Sequence, residues 1–319
     1  MIRRRDFILM SAAAAVLPAP GIVRAANSLT IRIGWQKNGV LALAKAQGAL
    51  ETRLANKGAE IVWSEFSSGP PLLEALGADA LDFGPTGDVP PLFAQAAGGS
   101  LFYVGAYQGA SSGSAILVHR DSSIRTLADL KGRKFAFKRG SSAHNFAVKA
   151  LRKGGLTTDD VEAVDLPPPD AAAAFKTGAI DAWAIWDPYF AVAEDDPQAR
   201  VLTTAEGIAD SWSFYLGNKG FTEANPEIVV DIIDELKRVG VAAQADPATT
   251  IPALAKITGV PEAVTRKVLT RPGLDLGKVF LLPEASEAYQ QALADEFHAI
   301  GVLPRKLNIS DIVWRPKAS

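Results

Sequence analysis

The sequence predicts an α/β protein of two lobes, each a mainly parallel sheet flanked by helices. Three observations carry this expectation. The chain has 319 residues, more than one ordinary core organises and enough for two α/β units. Short β-branched stretches alternate with helical ones from Leu29 onward, the order that parallel sheets with crossover helices produce. The same order begins again at Ser114.

Leu29-Thr-Ile-Arg-Ile-Gly34 alternates and is β-branched, so it reads as a strand. Leu41 to Ala55 has helical composition, Ile61 to Phe66 is a second strand, and Pro70 to Leu76 is a short helix with proline near its start. Leu81 to Gly84 and Leu101 to Tyr107 supply two more strands. The second unit opens with a strand at Ser114 to Val118 and a short helix at Thr126 to Lys131, ended by Gly132. A strand at Lys134 to Lys138 leads into a helix from Ser142 to Lys153, closed by Gly154-Gly155. Val161 to Leu166, a helix ending at Gly178, Ala182 to Trp186 and Arg200 to Leu202 complete it. The remainder is mainly helical, with apolar residues at helical spacing in Ile228 to Val239 and Ala285 to Phe297. The first lobe is therefore expected in residues 26–110 and 217–319 and the second in 111–216, with Ser213-Phe-Tyr-Leu216 leading the chain back.

An internal echo links the halves. Ala80-Leu81-Asp82 precedes Asp88 by the same spacing at which Ala179-Ile180-Asp181 precedes Asp187. Each stretch follows a glycine-ended helix and leads to a proline-containing helix start. Two similar sheets would thus each present a loop at a strand's C-terminal end, where α/β folds place ligands.

The first 25 residues read as an export signal: Arg3-Arg4-Arg5, an apolar alanine-rich run from Ile8 to Leu17, and Val23-Arg24-Ala25 before the cut. The run is short of the ~20 residues that span a bilayer, so no stable membrane insertion is expected. Arg4-Arg5-x-Phe7-Ile8 also fits a twin-arginine signal. Without residues 1–25 the chain keeps 29 basic and 34 acidic residues, a net of −5. Such a balance argues against a nucleic-acid partner. An acidic protein that binds an anion must do so with aimed local donors.

Chemistry is concentrated at loop starts. Phe135-Ala-Phe-Lys-Arg-Gly140 runs into Ser141-Ser142, which open a helix. A helix start leaves backbone N–H groups without internal partners and carries partial positive charge, which makes an anion site. The alternative is that either serine simply caps the helix. Gly84-Pro-Thr-Gly-Asp88 offers the Thr86 hydroxyl and a close backbone approach at Gly87, or else ordinary turn chemistry. Gln36 and Asn38 offer amide donors, or a solvated loop. In Trp183-Ala-Ile-Trp-Asp-Pro-Tyr189, alternation places Trp186 at the sheet rim, as an aromatic wall or as core. Cysteine is absent, and His119, His144 and His298 show no metal-ligand spacing. No nucleophile elbow, dinucleotide fingerprint or Walker loop occurs, so neither metal nor cofactor is expected.

In this order, Ile33-Gly-Trp-Gln-Lys37, Gly84-x-Thr-Gly-Asp-Val-Pro-Pro91, Gly140-Ser-Ser-x-His-Asn145 and Asp181-Ala-Trp-Ala-Ile-Trp-Asp-Pro-Tyr189 resemble the periplasmic aliphatic sulfonate-binding proteins of bacterial ABC importers. The resemblance covers essentially the whole chain after residue 25. It implies a type II periplasmic-binding-protein fold, two lobes joined by two crossovers with the ligand between them. It implies a monomeric binding protein, not an enzyme, that delivers an organosulfonate to a membrane permease for sulfur acquisition. By position, Gln36, Thr86, Gly87, Ser141, Ser142 and His144 would hold the sulfonate head, and Trp186 and Asp187 would line the tail side. Gln108 to Gly113 departs from the family pattern, so Ser111 and Ser112 are expected to alter ligand preference or hinge freedom. Rival readings are a binder of taurine, nitrate, a sulfate ester or a pyrimidine, an enzyme on this fold, and a sensory domain.

Overall fold

Strands buried on both faces build both sheets of the protein, seen in a computed structural model that describes residues 29–316. The expected export signal lies outside the described residues. The first lobe begins with β1 (Leu29–Trp35), α1 (Gly39–Gln47), α2 (Ala49–Leu54), β2 (Ala59–Glu65), α3 (Gly69–Gly77), β3 (Phe83–Gly87), α4 (Val89–Ala96) and β4 (Leu101–Gln108). The helix expected from Leu41 to Ala55 is broken at Gly48, whose φ of 61° is left-handed and ends α1. β3 starts two residues later than its sequence pattern suggests and runs through Pro85-Thr86-Gly87, so that motif is the strand's end rather than a loop after it.

The second lobe holds β5 (Ser114–His119), β6 (Lys134–Ala136), α5 (Ser142–Lys153), β7 (Glu162–Val164), α6 (Pro168–Lys176), β8 (Ala182–Trp186), α7 (Tyr189–Ala193) and β9 (Ala199–Thr204). The chain returns through β10 (Trp212–Asn218), then α8 (Lys219–Ala224), α9 (Pro226–Ala245), α10 (Pro247–Thr258), α11 (Glu262–Leu269), β11 (Val279–Phe280) and α12 (Glu284–Ala299). β10 lies in the first sheet, so the return crossover ends before Trp212, not at residue 216.

The six-stranded sheet has the order β11-β4-β10-β3-β1-β2 and the five-stranded sheet β7-β6-β8-β5-β9. The expected parallel units are present as β2-β1-β3 and β7-β6-β8. Both sheets are nevertheless mixed. β10 runs antiparallel between β3 and β4, and β5 runs antiparallel between β8 and β9. These strands carry the chain between lobes and enter their sheets from the crossover end, which reverses their direction.

Each sheet is covered on both faces. In β5, Ile116 and Val118 join one apolar cluster while Ala115 and Leu117 join the other. β8 does the same, with Ala182 and Ala184 opposite Trp183 and Ile185. The two crossovers are tied side by side. The Gly109 amide donates to the Ser211 carbonyl at 2.7 Å, and the Ser111 hydroxyl donates to the Ala209 carbonyl at 2.9 Å. The Ser112 hydroxyl donates to the Pro272 carbonyl at 2.8 Å, anchoring the same segment to the C-terminal part of the first lobe. Ser111 and Ser112 thus tie the crossover segment down on both sides.

α9 packs so closely on the turn leading to β11 that a Cβ at Gly240 would stand 2.0 Å from the Leu276 carbonyl oxygen. Gly240→Ala is expected to destabilise the protein by about 1–3 kcal/mol, lowering the melting temperature by several degrees in a thermal melt.

Candidate functional site

The C-terminal ends of β1, β3 and β8 and the start of α5 converge on a cleft between the lobes, a cavity of about 170 Å³. Gln36, Thr86 and Gly87 line it from the first lobe, and Ser141, Ser142, Trp186 and Asp187 from the second. Seven of the eight residues singled out in the sequence are therefore together. His144 does not line this cavity.

The start of α5 is unusual in how it spends its serines. Gly140, with φ 71°, supplies the left-handed turn after β6. Ser141 is the N-cap, yet its side chain makes no cap hydrogen bond. Its hydroxyl donates backwards to the Lys138 carbonyl at 2.7 Å. Among the described residues, no protein acceptor meets the amides of Ser142 and Ala143. The first turn of α5 therefore keeps unpaired donors and the positive end of its dipole at the cleft.

The first lobe faces this helix start at very short range. A Cβ at Gly87 would lie 2.9 Å from the Ser142 Cβ and 3.0 Å from its Oγ, so only glycine lets β3 and α5 approach so closely. Thr86 is buried, and its hydroxyl donates to the Gly87 carbonyl at 2.9 Å. Gln36 is held by its Nε2, which donates to the Pro85 carbonyl at 3.0 Å. Each side chain has a backbone contact, and the Thr86 hydroxyl, with a single proton, must turn from the Gly87 carbonyl to donate to a ligand.

His144 points elsewhere because of helix geometry. Two residues beyond Ser142 it stands about 200° around the helix. Its ring stacks on Phe137 at 5.2 Å and meets Phe297 edge-on at 5.4 Å. Nδ1 accepts the Gly140 amide at 3.3 Å. Burial first, and then Arg139, push its pKa down to about 4, so the ring is neutral and acts on the glycine turn.

Asp187 reaches the cleft with both carboxylate oxygens engaged. Arg271 approaches from the first lobe, donating from Nε to Oδ2 at 2.8 Å and from Nη2 to Oδ1 at 3.1 Å. Oδ1 also accepts the Ala191 amide at 3.0 Å, and Arg271 further contacts Glu194 at 3.0 Å. The guanidinium lies 4.2 Å from the Phe190 ring centroid. Burial raises the Asp187 pKa, and Arg271 counters that rise. Arg271 was invisible as a site residue in the sequence. It sits in a loop after α11, with no strand end or helix start to mark it.

A second interlobe knot surrounds Asp88, the N-cap of α4. Its Oδ1 accepts the Val89 amide at 2.9 Å. Its Oδ2 accepts Asn145 Nδ2 from α5 at 2.6 Å and the Tyr289 hydroxyl from α12 at 2.7 Å. Burial outweighs these bonds and pushes the carboxyl up to about 6. The histidine, glutamate and aspartate residues form no cluster placed to hold a metal ion among the described residues.

Comparisons with known proteins agree with this architecture. Residues 24–259 match the NMT1-like family. A protein of Escherichia coli (strain K12) carrying the name aliphatic sulfonates-binding protein is 39% identical over 288 residues, which is 90% of this chain and 89% of that one. The solved structure of the alkanesulfonate-binding protein SsuA from Xanthomonas axonopodis pv. citri, bound to MOPS, is 40% identical with a TM-score of 0.85, covering 91% of this chain and 100% of that chain. The periplasmic aliphatic sulphonate binding protein SsuA from Escherichia coli is 38% identical with a TM-score of 0.80, covering 91% of this chain and 93% of that chain.

The Asp88 environment fixes a pH dependence. Its folded pKa of about 6 lies above the ordinary 3.8, so between these values the folded chain holds the extra proton. This contribution to stability is present at low pH and is lost as pH rises through 6, about 3 kcal/mol in all. Urea unfolding at pH 4 and pH 6.5 is expected to show the wild type losing about 2 kcal/mol relative to Asp88→Asn; parallel profiles would contradict the assignment.

Proposed function

The chain belongs to the aliphatic sulfonate-binding proteins of the NMT1-like family, and on that premise we propose that it captures alkanesulfonates between its lobes as the solute-binding component of an ABC importer. The observation that carries the reading is the start of α5, where the unpaired Ser142 amide stands in the cleft that Thr86 and Gly87 also line. A sulfonate is a permanent anion with three acceptor oxygens and no proton to give. It is matched by several neutral donors, which escape the desolvation cost of a buried cation. Arg271 is the cation in the cleft, and Asp187 and Glu194 already neutralise it. That leaves the head of the ligand to the helix start.

The same features favour capture over catalysis. The Ser141 hydroxyl is committed to a carbonyl, and His144, the nearest imidazole in sequence, stacks between aromatic rings instead of lining the cleft. A nucleophile without a base beside it is not activated. Export to the periplasm by residues 1–25 and delivery to a permease by the single chain complete the proposal. None of the described helices is long and apolar enough to cross a membrane.

Titration calorimetry with short alkanesulfonates tests the reading. Ser142→Ala combined with Thr86→Ala is expected to weaken binding at least tenfold, while an alkanesulfonate at 100 times its Kd stabilises the wild type by about 2.7 kcal/mol in a melt. A sulfonate panel that leaves the melting temperature unmoved would sink the proposal.

A further inference from the structure

Behind the tail side of the cleft lies a second cavity of about 80 Å³, between α1, α10 and α11. It adjoins the first, since Asn38, Gly39, Val268 and Leu274 line both. Leu43, Leu254 and Leu276 form its depth, and Pro188 of the second lobe closes one side. The three leucines are buried.

The polar residues around this cavity present little polarity to it. Thr258 donates its hydroxyl to the Leu254 carbonyl at 2.7 Å, and Thr265 donates to the Val260 carbonyl at 3.4 Å. Lys37 pairs with Glu65 at 3.3 Å. Asn38, on the side shared with the cleft, is the other polar side chain of the lining, and the rest is hydrocarbon. Apolar surface of this kind favours apolar groups, which leave water to cover it.

We propose that this cavity is an alkyl-tail subsite, entered from the cleft past Val268 and Leu274, which makes the protein a binder of medium-chain rather than very short sulfonates. The proposal rests on the sulfonate reading above. With the head at the start of α5, the chain leads away from the donors toward the tail side of the cleft. The Arg271–Asp187 pair lies on the cleft side of this boundary, since Arg271 follows Val268 by three residues, just past the end of α11, and both line the cleft. Beyond that pair only apolar surface remains, and each methylene that enters leaves water for it.

Calorimetry on the purified chain with ethane-, butane-, hexane- and octanesulfonate decides the matter. Affinity is expected to rise about fourfold per methylene, which is about 0.8 kcal/mol, until the cavity is filled. Val260→Trp, whose side chain plugs the cavity from its outer side, is expected to flatten that slope; Val260→Phe serves if tryptophan disturbs folding. Measurable ethanesulfonate binding with no slope in the wild type overturns the subsite and leaves the head-group reading standing. An unchanged slope in a folded plug variant overturns it equally. Binding of no sulfonate at all overturns both.

Discussion

Ser141 begins α5 and yet gives its hydroxyl to the Lys138 carbonyl behind it. The helix is thereby left with amide donors that nothing in the described chain accepts. Unpaired backbone donors in a partly buried place are costly unless a ligand or water meets them. The surrounding structure keeps that arrangement in place. Gly140 makes the turn, His144 accepts its amide, and β3 ends in a glycine because any side chain there would strike Ser142. The start of α5 is thus held rigidly, with its donors aimed at one spot, which is what preorganised recognition of an anion requires.

The two lobes meet through charges that cancel locally. Asp187 and Glu194 neutralise Arg271, and Asp88 is enclosed by Asn145 and Tyr289. Each knot joins a residue of the second lobe to the C-terminal part of the first. The lobes are thereby joined by buried polar contacts. Such pairs add specificity of geometry more than stability, because their desolvation offsets much of their attraction. The crossovers supply the complementary constraint, since Ser111 and the Gly109 amide bind one crossover to the other.

The sequence made legible what local signals encode. Gln36, Thr86, Gly87, Ser141, Ser142 and Trp186 all lie where a strand ends or a helix starts, and the structure places all of them around the cleft. What it hid depends on partners far along the chain. Arg271 meets Asp187 across 84 residues, and no pattern in its own loop announces the pair. β10 pairs with strands more than a hundred positions earlier, so its antiparallel insertion is a property of the assembled sheet. His144 was misplaced for a simpler reason: membership of a first helical turn says nothing about which side of the helix a residue faces. Asp187 sits in the cleft as expected, but its oxygens serve Arg271 and the Ala191 amide first.

A crystal structure grown with hexanesulfonate tests the central claim most directly. The account places the sulfonate oxygens within hydrogen-bond distance of the Ser142 amide and the Thr86 hydroxyl, with Arg271 still paired to Asp187. A sulfonate bound instead to an Arg271 released from Asp187, or bound outside the interlobe cleft, would contradict it.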